Sequence, residues 1–220
     1  MKLGTATWAI AIALSGTWSA FAQGPSADNP LFVPATADEA LVQLVDTLGE
    51  PRHFCLDIPG FPVSGVLANH REASWALEAH TCKTGIPDVS IATIDQLLSQ
   101  NDLAAAPGTL RYTRFDACVE VVTFRNVDAP AHTPELMVRQ DAPLVVNPCS
   151  GAIEQSFVLD DAGRLRSLLD EEKCLTIGQQ AFEAGNRAPG EPWLRRALTF
   201  SACTDAAADR QTWALAAPTS

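Results

Sequence analysis

Three stretches of the chain repeat one arrangement of reactive and hydrogen-bonding side chains: Cys55-Leu56-Asp57-Ile58, Cys118-Val119-Glu120-Val121 and Cys174-Leu175-Thr176-Ile177. In an extended strand alternate residues share a face. Leu56 and Ile58 then point to a core, and Asp57 points the other way, with Pro59-Gly60 turning the chain immediately after. A carboxylate so placed can accept hydrogen bonds from two neighbouring ligand hydroxyls. The cysteines recur in phase with it. Each of Cys55, Cys118 and Cys174 is followed 27 to 31 residues later by a second one, Cys82, Cys149 and Cys203. No two lie close enough for a C-x-x-C knuckle, so metal binding is disfavoured. An even set of six points to disulfides wherever the chain passes through an oxidising compartment. Pairing inside each repeat selects Cys55–Cys82, Cys118–Cys149 and Cys174–Cys203. Each loop so closed is worth about 3–4 kcal/mol in the chain-entropy model.

The elements that must position these groups repeat as well. Gly108-Thr109-Leu110-Arg111 precedes Cys118, and Gly163-Arg164-Leu165-Arg166 precedes Cys174; each reads as a turn into a strand. Leu48 to Cys55 is a shorter version of the same lead-in. After the second cysteine comes Gln, one residue, then an aromatic: Gln155-Ser156-Phe157 and Gln211-Thr212-Trp213. The first repeat offers Gln96 and Leu98, later than the others because of the extra residues 85–93. Phe157 and Trp213 are expected in the core, with their glutamines satisfying backbone groups. Residues 39–50 carry two readings. Leu41, Leu44, Val45 and Leu48 have helical spacing, whereas the repeat register asks for a strand. Residues 178–196, rich in Gly, Pro and charge, read as a surface loop; Trp193 within it is either a contact residue or a cover for the sheet edge.

Residues 1–22 have the order of a secretory signal: Lys2, an apolar run from Trp8 to Leu14, and Ala20-Phe21-Ala22 as the cleavage site. The mature chain is expected to begin at Gln23, with 23–38 as a leader. The net charge of −11 becomes −12 without Lys2, which disfavours nucleic acid and anionic lipid; no membrane insertion is expected. No G-x-S-x-G, H-E-x-x-H or phosphate-cradling loop occurs. His53, His70, His80 and His132 are scattered. The expectation is a protein without enzymatic activity, cofactor or metal, although a Ser/His/Asp set assembled in space stays open.

Strand, C-apolar-x-apolar, loop and Cys, three times over residues 40–217, with Q-x-aromatic closing the second and third copies, resembles the ricin-type lectin repeat. The resemblance implies an all-β fold, a β-trefoil spanning 39–217. It also implies a sugar site built in each repeat from an acid two residues after the first cysteine, a polar residue and an aromatic before the second, and an amide before the Gln. In the first repeat those slots hold Asp57, Glu78, His80 and Asp95. In the second they hold Glu120, Val145, Asn147 and Glu154. In the third they hold Thr176, Thr199, Ser201 and Arg210. The resemblance thus implies an exported carbohydrate-binding module, secreted or periplasmic, with one weak site in the first repeat and a carbohydrate or glycoconjugate of galactose type as partner. Two alternatives remain. Asp88 or Lys83 stands near the site instead of Asp95, or Asp57, Glu78, His80 and Lys83 form an ion-pair network that fixes the loops. In the second case the chain is a structural or protein-binding trefoil.

Overall fold

A computed structural model describes residues 35–59, 75–83, 95–125, 136–138, 143–188 and 191–218. The expected signal sequence, most of the expected leader and Asp88 lie outside them. The chain is built from strands. The first cysteine pair is carried by β1 (Glu39–Leu44), β2 (Phe54–Asp57), β3 (Trp75–Ala76), β4 (Glu78–Thr81) and β5 (Leu98–Ser99). A one-turn helix, α1 (Gln100–Ala104), follows, its Ser99 cap accepting from the Asp102 N–H. The second pair is carried by β6 (Arg111–Tyr112), β7 (Ala117–Val121), β8 (Thr123–Arg125), β9 (Leu136–Val138) and β10 (Leu144–Pro148). The third follows with β11 (Phe157–Leu159), β12 (Leu165–Ser167), β13 (Lys173–Ile177), β14 (Phe182–Ala188), β15 (Glu191–Arg196), β16 (Leu198–Ala202), a short helix α2 (Ala208–Gln211) and β17 (Trp213–Ala216). All three disulfides form within their repeats. They place folding in an oxidising compartment. Among the described residues no helix is long and apolar enough to cross a membrane.

Each cysteine-bearing strand pairs antiparallel with the strand leading to its partner: β2 with β4, β7 with β10, and β13 with β16. β1 pairs with both β2 and the last described strand, since Leu44 lies opposite Trp213 and Gln43 opposite Cys55. The helical reading of 39–50 therefore fails. A strand here completes backbone pairing with both β2 and β17, and Leu48 and Gly49 adopt positive φ in the turn that follows. The Gly-x-Leu-Arg lead-ins correspond to Ala40–Leu44, not to Leu48–Cys55. Arg111 opposes Cys118 just as Gln43 opposes Cys55.

The core gathers Val42, Leu56, Leu110, Val119, Leu165, Leu175, Phe157, Phe200 and Trp213. Trp213 is 1% exposed, and its indole N–H donates to the Leu175 carbonyl at 2.9 Å, so burial leaves no orphan donor. Three close backbone approaches seat the residue two after each Gln. Ala40 pairs with Leu98, Gly108 with Phe157, and the Trp213 N–H reaches the Gly163 carbonyl at 2.7 Å. At Gly163 (φ +75) a Cβ would stand 2.8 Å from the Trp213 carbonyl oxygen, which is why a glycine sits there.

Residues 178–196 are not a loop. β14 and β15 form a hairpin that continues the sheet past β4, with Arg195 opposite His80 and Arg196 opposite Ala79. An open edge on β4 supplies unpaired backbone groups that outweigh the poor strand composition of the segment. The Thr81 hydroxyl locks this seam, accepting from the Leu194 N–H at 2.9 Å and donating to its carbonyl at 3.2 Å.

Candidate functional site

The three glutamines make one repeated clamp. The side-chain oxygen of Gln96, Gln155 and Gln211 accepts from the backbone N–H just after the second cysteine, on Lys83, Ser150 and Thr204, at 2.9, 2.8 and 3.1 Å. Each side-chain NH₂ donates to the carbonyl just before that cysteine, on Thr81, Pro148 and Ala202. It also donates to the residue two after the first cysteine: Asp57 Oδ2 at 2.7 Å, Glu120 Oε2 at 2.9 Å and Thr176 Oγ1 at 2.9 Å. One amide thus ties both disulfide-linked strands together. The slot expected to hold a ligand acid is the slot each glutamine uses.

The first repeat fills that slot most completely. Asp57 points away from Leu56 and Ile58, but it does not reach solvent and is 1% exposed. Lys83 and Gln96 close its face, with Asp95 behind the lysine. Asp57 Oδ2 accepts from Gln96 and pairs with Lys83 Nζ at 2.8 Å. Asp95 pairs with the same ammonium. Despite the long connection, Asp95 stays in place beside Gln96, and Lys83 joins it. Asp95 is thus not displaced, and Lys83 stands with it rather than in its place. Burial works against the Lys83 charge, but Asp57 and Asp95 outweigh it and hold the ammonium above the usual lysine range. Burial pushes the Asp57 carboxyl up, against the pull of Lys83 and Gln96.

Glu78 and His80 lie on β4, opposite Asp57 and Cys55. Burial raises the Glu78 carboxyl; its partner is Arg195, at 3.6 Å. His80 is buried. Desolvation, and then the nearby Lys83 charge, pull its pKa down to about 4, so the ring is neutral and Nδ1–H donates to the Thr81 carbonyl at 2.9 Å. Its ring centroid lies 5.7 Å from that of Trp193. The Arg52 guanidinium lies 5.2 Å from the Trp193 ring, within cation–π range. Arg52 also grips Glu50 through two bonds and donates to the Pro192 carbonyl at 2.8 Å. Trp193 therefore packs the hairpin onto His80.

Arg52 and Tyr112 belong to this neighbourhood, and no motif marks either. Tyr112 is fully buried. Its hydroxyl has no hydrogen-bond partner among the described residues, and burial, with Asp57 and Asp95 adding, drives its pKa well up.

The other repeats solve the slot with neutral partners. Glu120 is half-buried and accepts from Asn147 Nδ2 at 3.0 Å as well as from Gln155. Val145 is buried, and Glu154 is half-buried beside Gln155. Thr176 shares a 2.7 Å hydroxyl contact with Ser201, and Gln211 donates to both. Thr199 pairs with Thr176 across the strands, and Arg210 reaches the Ile177 carbonyl at 3.5 Å.

No protein-family model matches the chain, and no curated protein matches it. Among solved structures, the solution structure of mdaA-1 domain is similar at 13% sequence identity, with a TM-score of 0.49, over 85% of this chain and 94% of that chain.

Proposed function

We propose that this chain is an exported β-trefoil spanning residues 39–217, with three repeats of the ricin-type pattern, acting as a non-enzymatic structural or protein-binding module. The observation that carries this choice is Asp57. A sugar anchor needs a carboxylate open to hydroxyls, whereas Asp57 is buried and its Oδ2 already serves Lys83 and Gln96. The trefoil reading is supported by the threefold glutamine clamp and by the pairing of β1 with β17. Secretion or periplasmic export is supported by the signal-like start and the three disulfides. The non-enzymatic reading is supported by the internal engagement of His80, Asp57 and Asp95.

The carbohydrate reading keeps one observation in its favour, and it shifts the site to the second repeat. Glu120 is half-exposed, and its described partners are two neutral amides, which leaves its charge for hydroxyl donors. A site of this kind would bind with a dissociation constant on the order of millimolar. The test is an NMR titration with galactose, lactose and N-acetylated sugars. No shift with any sugar is expected. Shifts around Asp57 and His80 would overturn the closed first slot. Shifts around Glu120 that vanish in Glu120→Ala would establish the lectin reading.

A further inference from the structure

We propose that the first-repeat slot is an ammonium cradle that the chain fills with its own Lys83, an autoinhibitory contact that keeps external ligands out. The inference rests on the reading that this slot is closed, and it says by what.

The argument comes from comparing the three copies. In each, the residue after the second cysteine gives its backbone N–H to the clamp glutamine: Lys83 at 2.9 Å, Ser150 at 2.8 Å and Thr204 at 3.1 Å. The clamp therefore needs a backbone at this position, not a lysine side chain. The ammonium is extra to the first repeat. It lies between Asp57 and Asp95, the residues two after Cys55 and one before Gln96. Lys83 is 14% exposed at its side chain, Asp57 2% and Asp95 1%, so the contact is sealed on the carboxylate side and reaches solvent only at its lysine end. In the second repeat the Asn147 amide, and in the third the Ser201 hydroxyl, meet the residue two after the first cysteine, each from the strand position that His80 holds in the first repeat. The residue two after the first cysteine thus meets an ammonium, an amide and a hydroxyl in the three repeats, and only the ammonium comes from the residue after the second cysteine. Only the first, set between two carboxylates, selects a cation that carries N–H donors.

Two measurements test this. Of the lysines Lys2, Lys83 and Lys173, Lys2 lies in the signal and Lys173 has a side chain 36% exposed in a pair with Asp170. Reductive methylation of the folded wild type, read by peptide mass spectrometry, should modify Lys83 more than about tenfold more slowly than Lys173, because reaction requires the slot to open. Equal rates would overturn the proposal. Secondly, Lys83→Ser copies the second repeat. Propylammonium chloride at several times its dissociation constant should raise the melting temperature of this variant by about 2–4 °C. Tetramethylammonium chloride, which has no N–H donor, should not, and the wild type should respond to neither. Stabilisation of the wild type by propylammonium, or an equal response of the variant to both salts, would overturn the cradle. If Lys83→Ser folds only with help, the refolding yield in the two salts gives the same reading. Sugar titration enters neither measurement, so the closed-slot reading and the cradle can fail separately.

Discussion

Asp57→Ala separates a buried structural carboxylate from a ligand anchor more sharply than any other substitution. A surface anchor can be removed with stability unchanged to within about 0.5 kcal/mol. The geometry here says otherwise. Truncation strips Lys83 Nζ of its 2.8 Å partner and removes the 2.7 Å acceptor of Gln96, while the lysine stays buried. Breaking a buried ion pair from one side costs about 3–5 kcal/mol. Asp95 still holds the ammonium, and Gln96 keeps the Thr81 carbonyl at 3.3 Å, so the lower end, about 3 kcal/mol, is expected. For a chain of this size that is a fall in melting temperature on the order of 10 °C. The assay is urea denaturation of the mature, disulfide-intact protein, with wild type and Glu120→Ala in parallel. Glu120 is half-exposed with neutral partners, so its loss should cost about 1 kcal/mol. Equal midpoints for Asp57→Ala and wild type at unchanged slope would refute the reasoning and reopen Asp57 as a ligand group.

Three further outcomes are expected. Trp213→Ala should cost about 3–5 kcal/mol as a core cavity; Trp193→Ala, half-buried against Arg52 and His80, should cost about 1 kcal/mol, and equal melting temperatures would place Trp213 wrongly. His80 has a folded pKa of about 4 against an ordinary 6.5, so the unfolded chain takes up its proton first and this contribution is lost as pH falls from about 6.5 to 4, by up to about 3 kcal/mol. Asp57 and Glu78, with raised values in the folded state, act in the opposite sense, so the measurement is the difference between wild type and His80→Gln across that window, and parallel curves would remove the buried neutral ring. Peptide mapping without reduction should recover Cys55–Cys82, Cys118–Cys149 and Cys174–Cys203 from a mature chain starting at Gln23, and a Cys82–Cys118 link would break the repeat register.

Local pattern determined much of this protein before any fold was known. The spacing of six cysteines in phase with C-apolar-x-apolar named the three disulfides, and Gln-x-aromatic placed Phe157 and Trp213 inside, because covalent reach and strand alternation act over short stretches of chain. Tertiary structure decided the rest. Residues 39–44 are a strand because β2 and β17 offer them backbone partners, which helical spacing cannot report. Residues 182–196 form a hairpin because β4, a hundred residues earlier in the chain, leaves an edge to pair. Alternation correctly turned Asp57 away from the core, but it could not say what lies on the other side. Whether a carboxylate meets water or an ammonium depends on where Lys83 and Asp95 are brought by the long connection, and burial of a charge is a property of the packed neighbourhood rather than of the strand that carries it.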